Sequence, residues 1–147
     1  MNPPKRRKPN ETRYAERALW AWLVWTCPFG VYQTWAALPD LQNTIASELP
    51  GVPITIDVNG VMSIVIPVYV VVAAIFAWFI LKVGQGKAWA RSSVLWGFVL
   101  QIFMMIIPPY HPLVEYLGDI PDVGLQAAAL YWLYGHASRD WFDQPKK

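Results

Sequence analysis

Residues 61–81 read VMSIVIPVYVVVAAIFAWFIL, without a charged side chain and with Val70, Val71 and Val72 at the centre. The hydrocarbon of a bilayer is about 30 Å thick and takes roughly 20 apolar residues of α-helix to cross. This stretch has that length and that chemistry. Working outward, residues 18–38 are equally free of charge, and residues 88–107 stay apolar until the pair Pro108 and Pro109, which ends a helix because proline neither donates a backbone hydrogen bond nor tolerates helical geometry before it. Residues 120–142 form a fourth, shorter-cored stretch. The expected fold is all-α: a polytopic membrane protein with four transmembrane helices, 18–38, 61–81, 88–107 and 120–142, in a compact bundle. A basic segment 1–17, loops 39–60 and 108–119, and a tail 143–147 complete the expected layout.

Composition supports this class. Of the 147 residues, 55% are hydrophobic and 15% charged, against about a quarter charged in an ordinary soluble domain. The mean hydropathy is +0.27. Such aliphatic content excludes disorder and a collagen-like chain, and a single cysteine, Cys27, excludes a disulfide framework.

Charge placement sets the orientation, because Lys and Arg collect in short cytoplasmic loops. All 12 basic residues fall into three groups: Lys5, Arg6, Arg7, Lys8, Arg13 and Arg17 before the first span, Lys82, Lys87 and Arg91 around the turn between the second and third, and Arg139, Lys146 and Lys147 at the end. The other two loops hold Asp40, Glu48, Asp57, Glu115 and Asp119 and no basic residue. Both termini are therefore expected in the cytoplasm. The first apolar stretch exceeds a signal-peptide core and lacks a small-residue cleavage site, and the pattern as a whole suggests a bacterial inner membrane. The basic run at the N-terminus reads as an orientation and lipid-contact signal, with the bilayer and not a nucleic acid as its partner.

Inside lipid, helices associate through small and weakly polar residues that let backbones approach. The expected packing stripes are Thr26, Gly30 and Thr34 in the first span, Ser63 and Pro67 in the second, Ser93, Gly97 and Gln101 in the third, and Gly124 and Ala128 in the fourth. In the longest loop, Ile54 and Ile56 alternate with polar neighbours as a strand-like stretch ending at Asn59-Gly60, after a short helix capped by Asp40; these two isoleucines are the candidates for docking a partner.

Catalytic patterns are not evident. One cysteine cannot do dithiol chemistry, the two histidines, His111 and His136, fall on opposite sides of the expected topology, and VGQGKAWA lacks the spacing and the hydroxyl of a phosphate loop. No cofactor and no enzymatic activity are expected. No ionisable side chain is expected at mid-membrane, which favours an interaction role, as an accessory or immunity-type subunit with a membrane-protein partner, over the alternative of an oligomeric channel or small-solute transporter.

The segments GKAWAR, 86–91, and SRDWF, 138–142, resemble the paired basic-aromatic helix ends of small uncharacterised four-helix bacterial membrane proteins. The resemblance implies the same topology and no activity. It implies Trp89, Arg91, Arg139 and Trp141 as anchors at the membrane boundary.

Overall fold

A computed structural model describes residues 8–49, 55–106 and 113–142, and among these every regular element is an α-helix. In chain order they are α1 (Asn10–Glu48), α2 (Val58–Gly84), α3 (Ala88–Ile106), α4 (Leu113–Leu133) and the short α5 (His136–Phe142).

Besides the earlier starts of α1, at Asn10 inside the expected basic segment 1–17, and of α2, at Val58, three features differ from the sequence expectation. First, α1 has 39 residues and runs through both Pro28 and Pro39. Residues 39–48 open with Pro-Asp, a good first turn, and Thr44 Oγ1 donates to the Asp40 carbonyl at 2.9 Å. What reads as a separate capped helix is instead joined in register to the first, so residues 39–48 of the expected loop 39–60 are helical, as are 58–60 at the start of α2. Second, no strand occurs among the described residues. Ile54 lies outside them; Ile56 is half-buried in an irregular segment, and Asp57 caps α2, its Oδ1 accepting from the Asn59 amide at 3.1 Å. Asn59-Gly60 thus begins a helix. Third, α4 starts at Leu113, well before residue 120, continues through Pro121 and stops at Leu133, so much of the expected loop 108–119 is helical and 136–142 is a helix of its own.

The α2–α3 turn follows from glycine. Gly86 has φ +73°, a left-handed conformation that costs glycine nothing. The amides of Gly86 and Lys87 reach back to the carbonyls of Val83 and Lys82 at 2.9 and 3.1 Å. This double closure caps the C-terminus of α2 and returns the chain at once into α3.

Side-chain pairings fix the relative directions. Between α1 and α2, Gly30 meets Tyr69, Trp22 meets Phe76 edge-on at 5.0 Å, and Glu16 meets Gly84. Between α1 and α4, Trp25 Nε1 donates to the Gly118 carbonyl at 3.1 Å, Tyr14 faces Trp132 at 5.8 Å, and Glu11 lies beside Gly135. Phe79 packs on Trp89 at 5.6 Å, and Arg91 covers Tyr134. Along α1–α2 and α1–α4 one number rises as the other falls, so both pairs run antiparallel; the tight turn returns α3 along α2, and Arg91 with Tyr134 and Gln101 with Asp122 set α3 antiparallel to α4. α1 packs extensively along α4 and α2, whereas α3 touches α2 and α4 more sparsely and stands diagonally across from α1.

The core lies toward the start of α1, where Ala15, Leu19, Val83, Ala90, Ala129 and Leu133 are buried. α2 buries only Ile80 and Val83 and leaves Ile64, Val68, Val70 and Val71 more than half exposed. It is the one helix among the described residues that is long and apolar enough to cross a membrane.

Candidate functional site

At mid-height, three helices direct polar side chains at one another. Asp122 Oδ1 accepts from the Thr26 hydroxyl of α1, and Oδ2 accepts from the Gln101 amide of α3. Gln126, one turn beyond Asp122 on the same face of α4 and only 5% exposed, donates in turn to Gln101 Oε1. A carboxylate that accepts on both oxygens is satisfied as an anion. Both donors are neutral. At 1.5 Å per residue, Asp122 lies about 14 Å along α4, close to the middle of that helix.

The sequence expectation placed no ionisable group away from the helix ends, whereas Asp122 lies close to the middle of α4. Placing the start of the fourth helix at residue 120 put Asp122 at the outer rim. Gly118 lay in the expected loop, yet α4 passes through it and on through Pro121.

The cluster closes one end of a cavity of about 440 Å³. Its walls are Leu19 and Trp22 from α1, Phe76, Phe79 and Ile80 from α2, and Val94 and Leu100 from α3. The cavity exists because α3 stands off from α1. Its lining includes one charged residue, Asp122, and no Lys, Arg or His. Trp22, 8% exposed, keeps its indole Nε1–H buried without an acceptor.

The cavity also accounts for the third-helix stripe. A Cβ on Gly97 would meet nothing within 4 Å, and Ser93 donates to its own helix at the Trp89 carbonyl, 3.0 Å. Ser93, Gly97 and Gln101 line the cavity, so the small residues face open space where close packing against a neighbour was expected. Gly124 likewise meets nothing, and Ala128 is half-buried. Ser63 and Pro67 are exposed, Ser63 donating to the Gly60 carbonyl at 2.7 Å; α2 meets α1 through Tyr69 against Gly30 and Phe76 against Trp22, and not through this stripe. At Gly30 the fit is close: a Cβ there would lie 2.6 Å from the Tyr69 ring. Thr34 donates back to the Gly30 carbonyl at 2.9 Å.

A second constellation closes the end where α1 begins. The guanidinium of Arg91 sits 4.8 Å from the Tyr134 ring and 5.1 Å from that of Phe142. Trp141 lies over Gly86 so closely that a Cβ there would come within 2.7 Å of the indole nitrogen. The buried hydroxyls of Thr12 and Ser138 are 3.2 Å apart. The GKAWAR and SRDWF segments, whose Trp89, Arg91, Arg139 and Trp141 are the expected boundary anchors, meet each other: Arg91 and Trp141 pack inward, while Trp89, against Trp78 and Phe79, and Arg139 are exposed. The guanidinium is attracted to both ring faces, and α5 supplies one of the rings.

Sequence reasoning singled out Thr26 and Gln101 and missed Asp122 and Gln126. Their i, i+4 spacing, with Asp119 one turn earlier, was the available signal. No protein-family model, characterised protein or solved structure matches this chain, so its chemistry is read from the site itself.

Proposed function

We propose that the chain is a four-span membrane protein of a bacterial inner membrane, with both termini in the cytoplasm, and that it binds a small solute as a subunit of the transporter class. The observation that carries this reading is Asp122, a carboxylate at the middle of α4, hydrogen-bonded across three helices at the polar end of an apolar cavity. An ionisable group at that depth is expensive in lipid and is retained for binding or translocation. A cavity with apolar walls and a few convergent polar groups is the usual form of a small-molecule site.

The membrane assignment draws on the apolar face of α2 and on Trp96 and Ile106 of α3, 70% and 74% exposed, which lipid would cover. The accessory-subunit role expected from the sequence rested on the absence of a mid-membrane charge; a carboxylate near the middle of α4 favours the transporter class over it. An ion channel fits less well, because a conducting path needs polar groups or water to replace hydration and most of this wall is aromatic or aliphatic. The test is a thermal-shift screen of the purified protein in detergent against chemically diverse small solutes. Saturable stabilisation by one chemical class is expected; a folded protein that no solute stabilises would sink the reading.

A further inference from the structure

The class of solute follows from three properties of the cavity taken together. Its charge is negative: Asp122 is the one charged lining residue, and its two partners, the Thr26 hydroxyl and the Gln101 amide, are neutral. An anion in an apolar interior is costly unless a countercharge accompanies it. Nothing in the lining supplies one. Its walls are aromatic: Trp22, Phe76 and Phe79 present rings that attract a cation and cover an apolar body. Its donor set is poor: with one carboxylate and two amides already bonded to each other, it falls short of the six or more oxygen ligands that Ca²⁺ takes, and a sugar would leave most of its hydroxyls against hydrocarbon.

Resting on the reading of this cavity as a solute site, we infer that it takes a lipophilic organic monocation, an amine or quaternary ammonium with a compact aromatic or aliphatic body. The charged head sits at Asp122 and the body lies between Trp22, Phe76 and Phe79. The volume of about 440 Å³ suits a molecule of modest size. The one polar group the wall leaves unsatisfied, the Trp22 indole N–H, is a donor and does not compete for the cation.

The probe is radiolabelled benzyltrimethylammonium, with equilibrium binding measured on the full chain in detergent micelles. Two competitors share its shape or ring: neopentylbenzene, in which carbon replaces the ammonium nitrogen, and benzenesulfonate, an anion. Saturable binding of the cation is expected, with both competitors at least about tenfold weaker. Asp122→Asn keeps the size of the side chain and should weaken binding by at least about tenfold. Gly97→Leu, which leaves the carboxylate in place and fills space from the α3 side where a Cβ would meet nothing within 4 Å, should also abolish binding while the protein keeps its helical content. If Asp122→Asn fails to fold, the competitor ratio on the unaltered chain and Gly97→Leu carry the test alone. Equal competition by neopentylbenzene, or undiminished binding to a folded Asp122→Asn protein, would overturn the cation assignment and leave a solute site for neutral molecules. Absence of saturable binding by both the cation and its neutral isostere would overturn the inference and the solute-site reading together.

Discussion

Asp122 decides more than any other single residue, because its removal strands its partners. The half-buried Thr26 hydroxyl and Gln101 amide both donate to it, and each lost bond costs about 0.5–1.5 kcal/mol, more where the donor to a charged group is shielded from water. Asp122→Leu should therefore lower the thermal midpoint in detergent markedly, whereas Asp122→Asn, which keeps one carbonyl acceptor, should lower it far less. Comparable midpoints for the two variants would mean that the cluster is not an interior network. Gly86 raises a separate case. An alanine there must adopt φ +73° and place its Cβ 2.7 Å from the Trp141 indole, so Gly86→Ala combines backbone strain of about 1 kcal/mol or more with displacement of Trp141. Loss of stability is expected even though alanine is the better helix former, and an unchanged midpoint in thermal unfolding would contradict the geometry at this turn.

The helices reverse one intuition drawn from composition. A glycine in a membrane helix suggests close packing, and Gly30 and Gly97 look alike in sequence; their surroundings differ, since a Cβ would meet Tyr69 at one and open space at the other. Gly30→Leu should destabilise by forcing α1 and α2 apart, at a cost of about 1–3 kcal/mol, and Gly97→Leu should be neutral or stabilising, because glycine is a poor helix former and the new side chain fills a void. The reverse order of thermal midpoints would place the cavity elsewhere. α5 depends on tertiary contacts, for a seven-residue helix is marginal alone. Arg91→Ala or Trp141→Ala should loosen it and speed tryptic cleavage after the exposed Arg139; cleavage at the original rate would show that these contacts do not hold the segment. Hydrophobic periodicity and charge made the all-α class legible, and with it the α2–α3 turn, because a span without charge and a Gly-Gln-Gly turn have few alternatives. The register of α4 was not legible: Gly118 and Pro121 are breakers by local propensity, and only packing along α1 carries the helix through them. The cavity was hidden for the same reason, since it depends on how far α3 stands from α1, a distance that no local pattern encodes.

Taken whole, the antiparallel arrangement sorts charge to the two ends. Glu16 beside Gly84 and Glu11 beside Gly135 show that the start of α1, the α2–α3 turn and the start of α5 share one end, and this end carries Lys8, Arg13, Arg17, Lys82, Lys87, Arg91 and Arg139. The opposite end carries Asp40, Glu48 and Asp57. At about 58 Å, α1 is nearly twice the thickness of a hydrocarbon core, and its charged residues lie in the parts that would project on either side of residues 18–38. A basic end and an acidic end separated by apolar helices is the distribution that membrane insertion selects, with the basic end retained in the cytoplasm. Reporter fusions test this: truncating fusions after Gly51 and Pro109 for the acidic side, and after Gly86 and Lys147 for the basic side. Alkaline phosphatase is expected to be active at the first two positions and inactive at the last two, and a fluorescent protein, which folds in the cytoplasm, should give the complementary pattern. The Pro109 fusion is the most discriminating, since it requires α3 to cross although only α2 is long and apolar enough by composition alone. Phosphatase activity at Gly51 together with inactivity at Pro109 would leave two crossings, put α3 and α4 on the membrane surface, and remove Asp122 from the depth at which its carboxylate has been read.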